Sequence, residues 1–453
     1  MYLSAAPSAP AVVKSVCRAS FAALWARRHY ASSFNAPTGF RTLWRMGWPR
    51  QPAPEIRFAV RQKLRERSMK RFVVLDSFRG LCALSVVLFH TYVVQSIAEL
   101  EFFKNSFLMV EFFFILSGFV LFHTYRQRLN NTVQYKDFFI SRTARIFPLH
   151  LFMLVVFLIL EGGRKLAELK GFSFNEPAFS GPTASQELLP NALLLQSWLN
   201  TTITGSFNYP SWSISIEYYL YLVFGLMAVL ARGNKVKVFA VVSLVSFITL
   251  WHGESLFKTE IFRGASCFFA GAVLYVVYDK IKDSELRALD FNLLEIALVL
   301  GAYRLLVSSV DHKGIYASVL FCVLILAFSF ERGVISRFLQ HRVFIALGTL
   351  SFSIYMTHAA VLFVFKSAVI VLSKLLHTDL TETLQGHDMP NMMKYISTHS
   401  VWLDNGVVLL QMAVVLGVSV VTYKYVELKG MQWGKRLTRR KDTPSNSMPG
   451  AVL

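Results

Sequence analysis

Leu75-Asp-Ser-Phe-Arg79-Gly-Leu-Cys-Ala-Leu-Ser-Val-Val-Leu-Phe-His90-Thr-Tyr-Val-Val-Gln-Ser96 is an apolar run with an arginine and a histidine set inside it. It is long enough to cross a hydrocarbon core of about 30 Å. An ionisable group in such a run costs several kcal/mol, so each one that stays there marks a candidate functional site. Eleven positions separate Arg79 from His90. At about 100° per residue the two lie within about 20° of one helix face, about 16 Å apart along the axis. One face thus carries a cation near one membrane surface and an imidazole deep in the bilayer. The plainer alternative is a snorkelling arginine and a histidine satisfied by a neighbouring helix.

Working outward, nine more apolar runs follow: 107–125, 147–160, 211–231, 237–252, 260–279, 292–309, 314–330, 344–372 and 403–427. The third and fifth of the ten are short, and the ninth must tilt, kink or protrude. Of 453 residues, 54% are apolar and 16% charged, with 40 Phe, and the mean hydropathy is +0.45. Soluble domains carry about 25% charged residues, so the composition excludes a disordered chain and argues against a soluble enzyme. The net charge of +20 would suggest nucleic acid in a soluble protein. Here it is a topology signal: with the N-terminus in the cytoplasm, the inner segments hold 28 Lys/Arg and the outer connections and span ends 11. The expected fold is an all-α polytopic membrane protein, about ten transmembrane helices in one bundle with both termini cytoplasmic.

Three regions are expected: a basic extension at 1–68, a transmembrane domain at 69–428 and a basic tail at 429–453. The first 68 residues carry 12 Lys/Arg and two acids. They have something of a transit peptide's composition, but are read as an over-extended or unstructured start, the working protein beginning near Met69. Two outer connections are long, 161–210 and 373–402. In the first, Leu188–Leu199 reads as a re-entrant or interfacial helix that roofs a cavity. Cys17, Cys82, Cys267 and Cys322 form no C-x-x-C pair, so no disulfide framework or metal site is implied.

Counting depth along the spans places His90 about 22 Å up. Glu111, Glu217 and His358 arrive at a similar height, which predicts a buried polar site drawn from four helices. A carboxylate beside an imidazole fixes its tautomer and raises its basicity, as a general base requires. The plainer alternative for both acids is an interfacial position facing water. On the inner side, Arg126, Arg128, Lys136, Arg142 and Arg145 lie between the second and third spans, with Arg79 at the foot of the first. As a charge run this is ordinary inner loop. Lying beneath His90, it also suits a phosphate-bearing molecule that anchors below and extends a thin tail upward, since arginine forks grip phosphate oxygens in pairs.

Five ordered motifs carry a resemblance: the run from Leu75 through Arg79 to His90; Val110-Glu-Phe-Phe-Phe-Ile-Leu-Ser117-Gly118-Phe; Arg142-Thr-Ala-Arg145-Ile-Phe-Pro148-Leu; Ser211-Trp212-Ser-Ile-Ser-Ile-Glu217; and Leu347-Gly-Thr-Leu-Ser-Phe-Ser353-Ile-Tyr355-Met-Thr-His358. From about residue 70 to 428 the chain resembles acyltransferase family 3, the membrane-embedded O-acyltransferases that decorate bacterial glycans. The resemblance implies a ten-helix, multi-pass protein of the bacterial inner membrane. It would take an acyl group, commonly acetyl, from cytoplasmic acyl-CoA and deliver it to a hydroxyl of an extracytoplasmic or lipid-linked glycan. Carried over by position, Arg79 and His90 form the Arg-x10-His motif, Glu111 is the acid before Phe-Phe-x-Leu-Ser-Gly, Arg142 and Arg145 form the basic pair, and Trp212 and Glu217 form the Trp-Ser-x-x-x-Glu element. Departures are His150, where an aromatic is frequent, and Glu111, where Asp is frequent. The tail is too short for the esterase-like domain fused to some relatives.

Under this resemblance His90, Glu111 and Glu217 are expected as catalytic residues, Arg79, Arg142 and Arg145 as the CoA site, and Trp212 and His358 at the substrate. His90, supported by Glu111 or Glu217, would deprotonate the acceptor hydroxyl; a covalent acyl-histidine fits as well. No bound cofactor is expected. The partners are acyl-CoA as co-substrate, a glycan or glycolipid acceptor and membrane lipid, without nucleic acid. Two rival classes are a proton-coupled transporter, which would show an internal duplication absent from this sequence, and a non-catalytic membrane scaffold.

Overall fold

In hydrocarbon every backbone N–H and C=O must find its partner within the chain, and a helix achieves this locally. The computed structural model describes residues 70–172, 177–253, 255–284, 289–386 and 392–438. The extension expected at 1–68 and the part of the tail after 438 lie outside the described residues. The chain divides into Met1–Lys70 and Arg71–Leu453, and the helices among the described residues lie in the second unit. They are α1 (Val73–Phe89), α2 (Glu101–Lys104), α3 (Met109–Tyr125), α4 (Thr132–Leu169), α5 (Leu188–Ala192), α6 (Ser211–Leu230), α7 (Lys235–His252), α8 (Thr259–Ile281), α9 (Phe291–Val307), α10 (Lys313–Phe328), α11 (Val334–Leu339), α12 (Arg342–Leu376), α13 (Val401–Thr422) and α14 (Leu428–Thr438).

Seven helical segments among the described residues are long and apolar enough to cross a membrane: Ser106–Tyr125, α4, α6, α7, α8, α12 and Val401–Thr438. The other three expected runs fall on shorter helices, α1 and α9 with 17 residues each and α10 with 16. The third run proves to be the middle of a 38-residue helix, α4, so the expected inner loop at 126–146 is helical from Thr132. The Asn131 side chain starts it by accepting from the Gln134 N–H at 2.9 Å. The span after Thr422 continues through a π-turn at Tyr423–Glu427 into α14.

The all-α expectation needs one correction. The connection at 373–402 contains a two-stranded antiparallel hairpin, β1 (Thr381–Gln385) and β2 (Met392–Ile396), with Thr381 opposite Ile396. Its edge is covered by the chain that follows α1: Val94 N–H donates to the Ile396 carbonyl at 2.9 Å, and Ile396 N–H donates to the Tyr92 carbonyl at 3.0 Å. That pairing is why α1 stops at Phe89 and leaves His90 as its C-cap.

Two helix pairs position the site. α3 and α8 run together so closely that a Cβ added to Gly118 would strike the Phe268 carbonyl oxygen, and one added to Gly271 would strike that of Ile115. α1 and α12 do the same, with Gly80 against Leu347 and Gly348 against the Asp76 carbonyl. Small residues permit such backbone approach between membrane helices. Buried aromatics such as Phe112, Phe119, Phe224, Phe239 and Phe268 fill the space between helices. By contrast, α7 buries only Phe239, Ser243 and Ser246 and exposes Val241, Leu244, Val245 and Ile248, a face suited to lipid.

Candidate functional site

Two cavities meet inside the bundle. The smaller, about 300 Å³, is lined by Arg79, Arg142, Arg145, Ser117, Glu217 and Tyr221 among others. The larger, about 820 Å³, is lined by His90, Tyr209, Trp212, Arg263 and Lys366 among others. Val110 and Tyr355 line both. α1 therefore sends Arg79 to one cavity and His90 to the other.

Arg142 and Arg145 stand three apart on α4, which puts both on one face. The Arg142 guanidinium donates to the Tyr125 hydroxyl at 3.0 Å and lies 5.8 Å from the Tyr221 ring, while its buried Nε–H has no hydrogen-bond partner. Arg145 makes a weak 3.6 Å contact with the Met431 sulfur of α14. Arg79 reaches Asp76 at 3.4 Å. Glu217 accepts from the Ser117 and Tyr221 hydroxyls. Three guanidiniums and one carboxylate give this cavity a positive balance.

In the larger cavity His90 Nδ1 lies 3.1 Å from the Val86 carbonyl and 3.3 Å from Nε2 of His358. His358 Nδ1 lies 3.3 Å from the Ile354 carbonyl. A carbonyl can only accept, so the assignment that satisfies all three contacts puts the proton on Nδ1 of both rings. His90 Nδ1–H is then shared between Val86 and His358, and Nε2 of His90 carries the basic lone pair. Tyr209 packs on His90 with ring centroids 4.7 Å apart.

The one-level cluster expected from depth counting is thus divided. His90 and His358 come together, but His358 is fully buried behind His90 and does not line the large cavity. Glu217 belongs to the arginine cavity. Glu111 binds Arg263 of α8 at 2.6 and 2.8 Å. Among the described residues neither carboxylate hydrogen-bonds His90. Depth fixes height along the membrane normal, whereas rotation about each helix decides which neighbour a side chain meets. Arg263 was missed because it was counted with the outer cations. Its signal was present: a cation a few residues inside an apolar run, level with Glu111. Trp212 lines the large cavity, with the Arg263 guanidinium 5.2 Å from its ring.

The roof over this cavity comes from the connection between α4 and α6, with Pro182, Thr204, Gly205 and Phe207 on its lining. It is not the helix expected at Leu188–Leu199. Only α5, five residues long, is helical, and the rest is held by buried polar side chains. The Asn191 side chain donates to the Ser206 carbonyl at 2.8 Å, and the Asn191 backbone carbonyl accepts from His150 Nε2 at 2.8 Å. Glu161 accepts from Phe179 N–H and from the Thr183 hydroxyl, and Asn208 donates to the Met356 carbonyl of α12 at 3.0 Å. Lys258, just before α8, donates to the Gln196 and Thr202 carbonyls at 2.8 and 2.7 Å and to the Thr204 hydroxyl at 3.0 Å. Its burial lowers its pKa below the usual lysine value.

The family model described as an acyltransferase domain, acyltransferase family 3, matches residues 72–424. The chain belongs to that family. It is also similar to the acyltransferase MdmB of Streptomyces mycarofaciens, 42% identical over 129 residues that make up 28% of this chain and 30% of that protein. A second relative is protein 2 of the picA locus of Rhizobium radiobacter, 38% identical over 88 residues, 19% of this chain and 44% of that protein. The matches therefore span less than half the length of either curated relative. No solved structure matches the chain.

Proposed function

We propose that the protein is a multi-pass acyltransferase of the bacterial inner membrane, with ten helices in the membrane and both termini cytoplasmic, that moves an acyl group, most simply acetyl, from acyl-CoA to a hydroxyl of a glycan or glycolipid. Membership of the acyltransferase family supports the reaction class. The observation that carries the reading is the pair of adjoining cavities, one with three arginines and one with His90, that share Val110 and Tyr355.

In this reading Arg79, Arg142 and Arg145, which line the smaller cavity together, hold the CoA phosphates. The pantetheine arm passes Val110 and Tyr355 and presents the thioester to the larger cavity, where Trp212 and the roof hold the acceptor. Nε2 of His90 removes the acceptor's hydroxyl proton as that oxygen attacks the thioester carbonyl. The new C–O bond forms, the C–S bond breaks, and the imidazolium returns its proton to the departing CoA sulfur. His358 orients the His90 ring from behind. Glu217 sets the arginine cavity through Ser117 and Tyr221, and Glu111 holds Arg263 against Trp212. Proton transfer by a positioned base contributes about 10² to 10⁴ in rate.

The test is to supply membranes with acetyl-CoA labelled in its acetyl group. Label is expected in the glycan and glycolipid fraction, falling by about 10²-fold or more in His90→Ala and strongly in Arg79→Met. Undiminished labelling by His90→Ala would refute the reading.

A further inference from the structure

The stripe of α12 on the lining of the His90 cavity runs Tyr355, Ala359, Leu362, Phe363 and Lys366. At about 100° per residue these five positions fall within about 100° of arc, so Lys366 stands on the face that α12 turns to the cavity. It is part-buried, and its Nζ lies 6.0 Å from the ring centroid of Tyr92, which is on the same lining. Among the described residues it has no hydrogen bond and no ion pair. The charge that acts on it is a second cation, Lys394 of β2, the strand that brings Met393 and Ile396 to the lining. Lys394 is also part-buried and has no carboxylate partner among the described residues.

Elsewhere on this cavity the charges balance. Glu111 binds Arg263 at 2.6 and 2.8 Å, and Glu260, the carboxylate on the lining, acts on Arg263 and Lys258. Two acids thus answer two cations on the α8 side. On the α12 and β2 side the acids are engaged with other groups: Glu382 of β1 accepts from the Ser397 hydroxyl at 2.6 Å and faces His399, and Asp404 accepts from Thr398 N–H and from its hydroxyl. An ammonium drawn partly out of water without a counter-ion is costly, and a second cation beside it adds repulsion. An anion in the cavity removes both costs. The ammonium is a compact charge with three donors, which suits a carboxylate or a phosphate oxygen alike.

We propose that Lys366 is a binding residue for an anionic acceptor: its ammonium, with Lys394 beside it, holds a carboxylate or phosphate oxygen of the molecule whose hydroxyl is acylated. This rests on the acyl-transfer reading and adds to it a negative charge on the acceptor, which that reading leaves open. Lys366→Met removes the charge at similar length, and Lys366→Arg keeps it.

The experiment uses the purified full chain in detergent, labelled acetyl-CoA, and as acceptor the glycan and glycolipid extract of cells lacking the gene, separated by anion exchange into unretained and retained fractions. The wild type is expected to label the retained fraction. Lys366→Met is expected to raise the amount of that fraction needed for half-maximal labelling by about tenfold or more, the loss of one charge-assisted hydrogen bond, and Lys366→Arg to recover most of it. Added salt should raise the half-maximal amount for the wild type and move it much less for Lys366→Met. Binding of CoA, assigned to the other cavity, should match the wild type in both variants. Two pretreatments of the retained fraction separate the sources of the anion: aqueous hydrogen fluoride cleaves phosphate esters, and carbodiimide-assisted borohydride reduction turns carboxylates into alcohols. The treatment that abolishes labelling names the anion, and labelling that survives both in turn overturns the proposal. Label confined to the unretained fraction overturns it as well, as does a wild-type dependence on the retained fraction in Lys366→Met, or a loss confined to CoA binding or to the unfolding midpoint. Should Lys366→Met not fold, Lys366→Gln is read in its place. If the wild type labels neither fraction, the acyl-transfer reading fails and this proposal falls with it.

Discussion

Glu111 and Arg263 show what a single residue can and cannot reveal. Each was visible as an ionisable group within an apolar run, but their union depends on α3 and α8 lying side by side. With Glu111 3% and Arg263 25% exposed at the side chain, the pair is largely removed from water. Deleting one partner of a buried pair leaves an uncompensated charge and costs about 3–5 kcal/mol, whereas deleting both is far milder. Glu111→Leu should therefore lower the thermal unfolding midpoint of the detergent-solubilised protein, read by tryptophan fluorescence. Glu111→Leu with Arg263→Met should recover much of the loss. Equal midpoints for the wild type and Glu111→Leu would mean that the pair contributes no stability. His90 and His358 teach the same lesson. Their presence in two spans was legible, but their 3.3 Å contact depends on Gly80 and Gly348 letting α1 and α12 close together.

Among the elements, the helices were legible because long runs of Phe, Leu, Val and Ile have no other way to satisfy their backbone in lipid. Their ends were not. α1 ends at Phe89 because the following residues pair with β2, and α4 begins early because Asn131 caps it. These causes lie in distant or single residues that hydropathy averages away. The hairpin was illegible for a related reason: its strands are short and one edge is completed by Tyr92 and Val94. The glycines give an element-scale test. Gly118 has the Phe268 carbonyl where a Cβ would sit, and Gly162 of α4 has nothing within 4 Å. Gly118→Ala should destabilise the purified protein by about 1–3 kcal/mol. Gly162→Ala should be neutral or stabilising by up to about 1 kcal/mol from helix propensity alone. Similar midpoints for the two variants would contradict the close α3–α8 approach.

At the scale of the molecule, seven described segments have the length and composition to cross a membrane, and the proposed orientation rests on the asymmetry of Lys and Arg between alternate connections. The motifs that carried the family resemblance now have a physical division. Arg79, Arg142, Arg145 and Glu217 line one cavity, His90 and Trp212 line the next, and Val110 and Tyr355 form the shared wall. The central claim is that the first cavity holds the donor and the second performs the transfer. It is tested most directly by titrating the purified protein with CoA calorimetrically in three forms: wild type, His90→Ala and Arg142→Met. Charge-assisted hydrogen bonds contribute about 1.5–3 kcal/mol each, so Arg142→Met should bind CoA about 10- to 100-fold more weakly. His90→Ala should bind it as the wild type does. Unchanged binding by Arg142→Met, or binding lost in His90→Ala, would contradict the division.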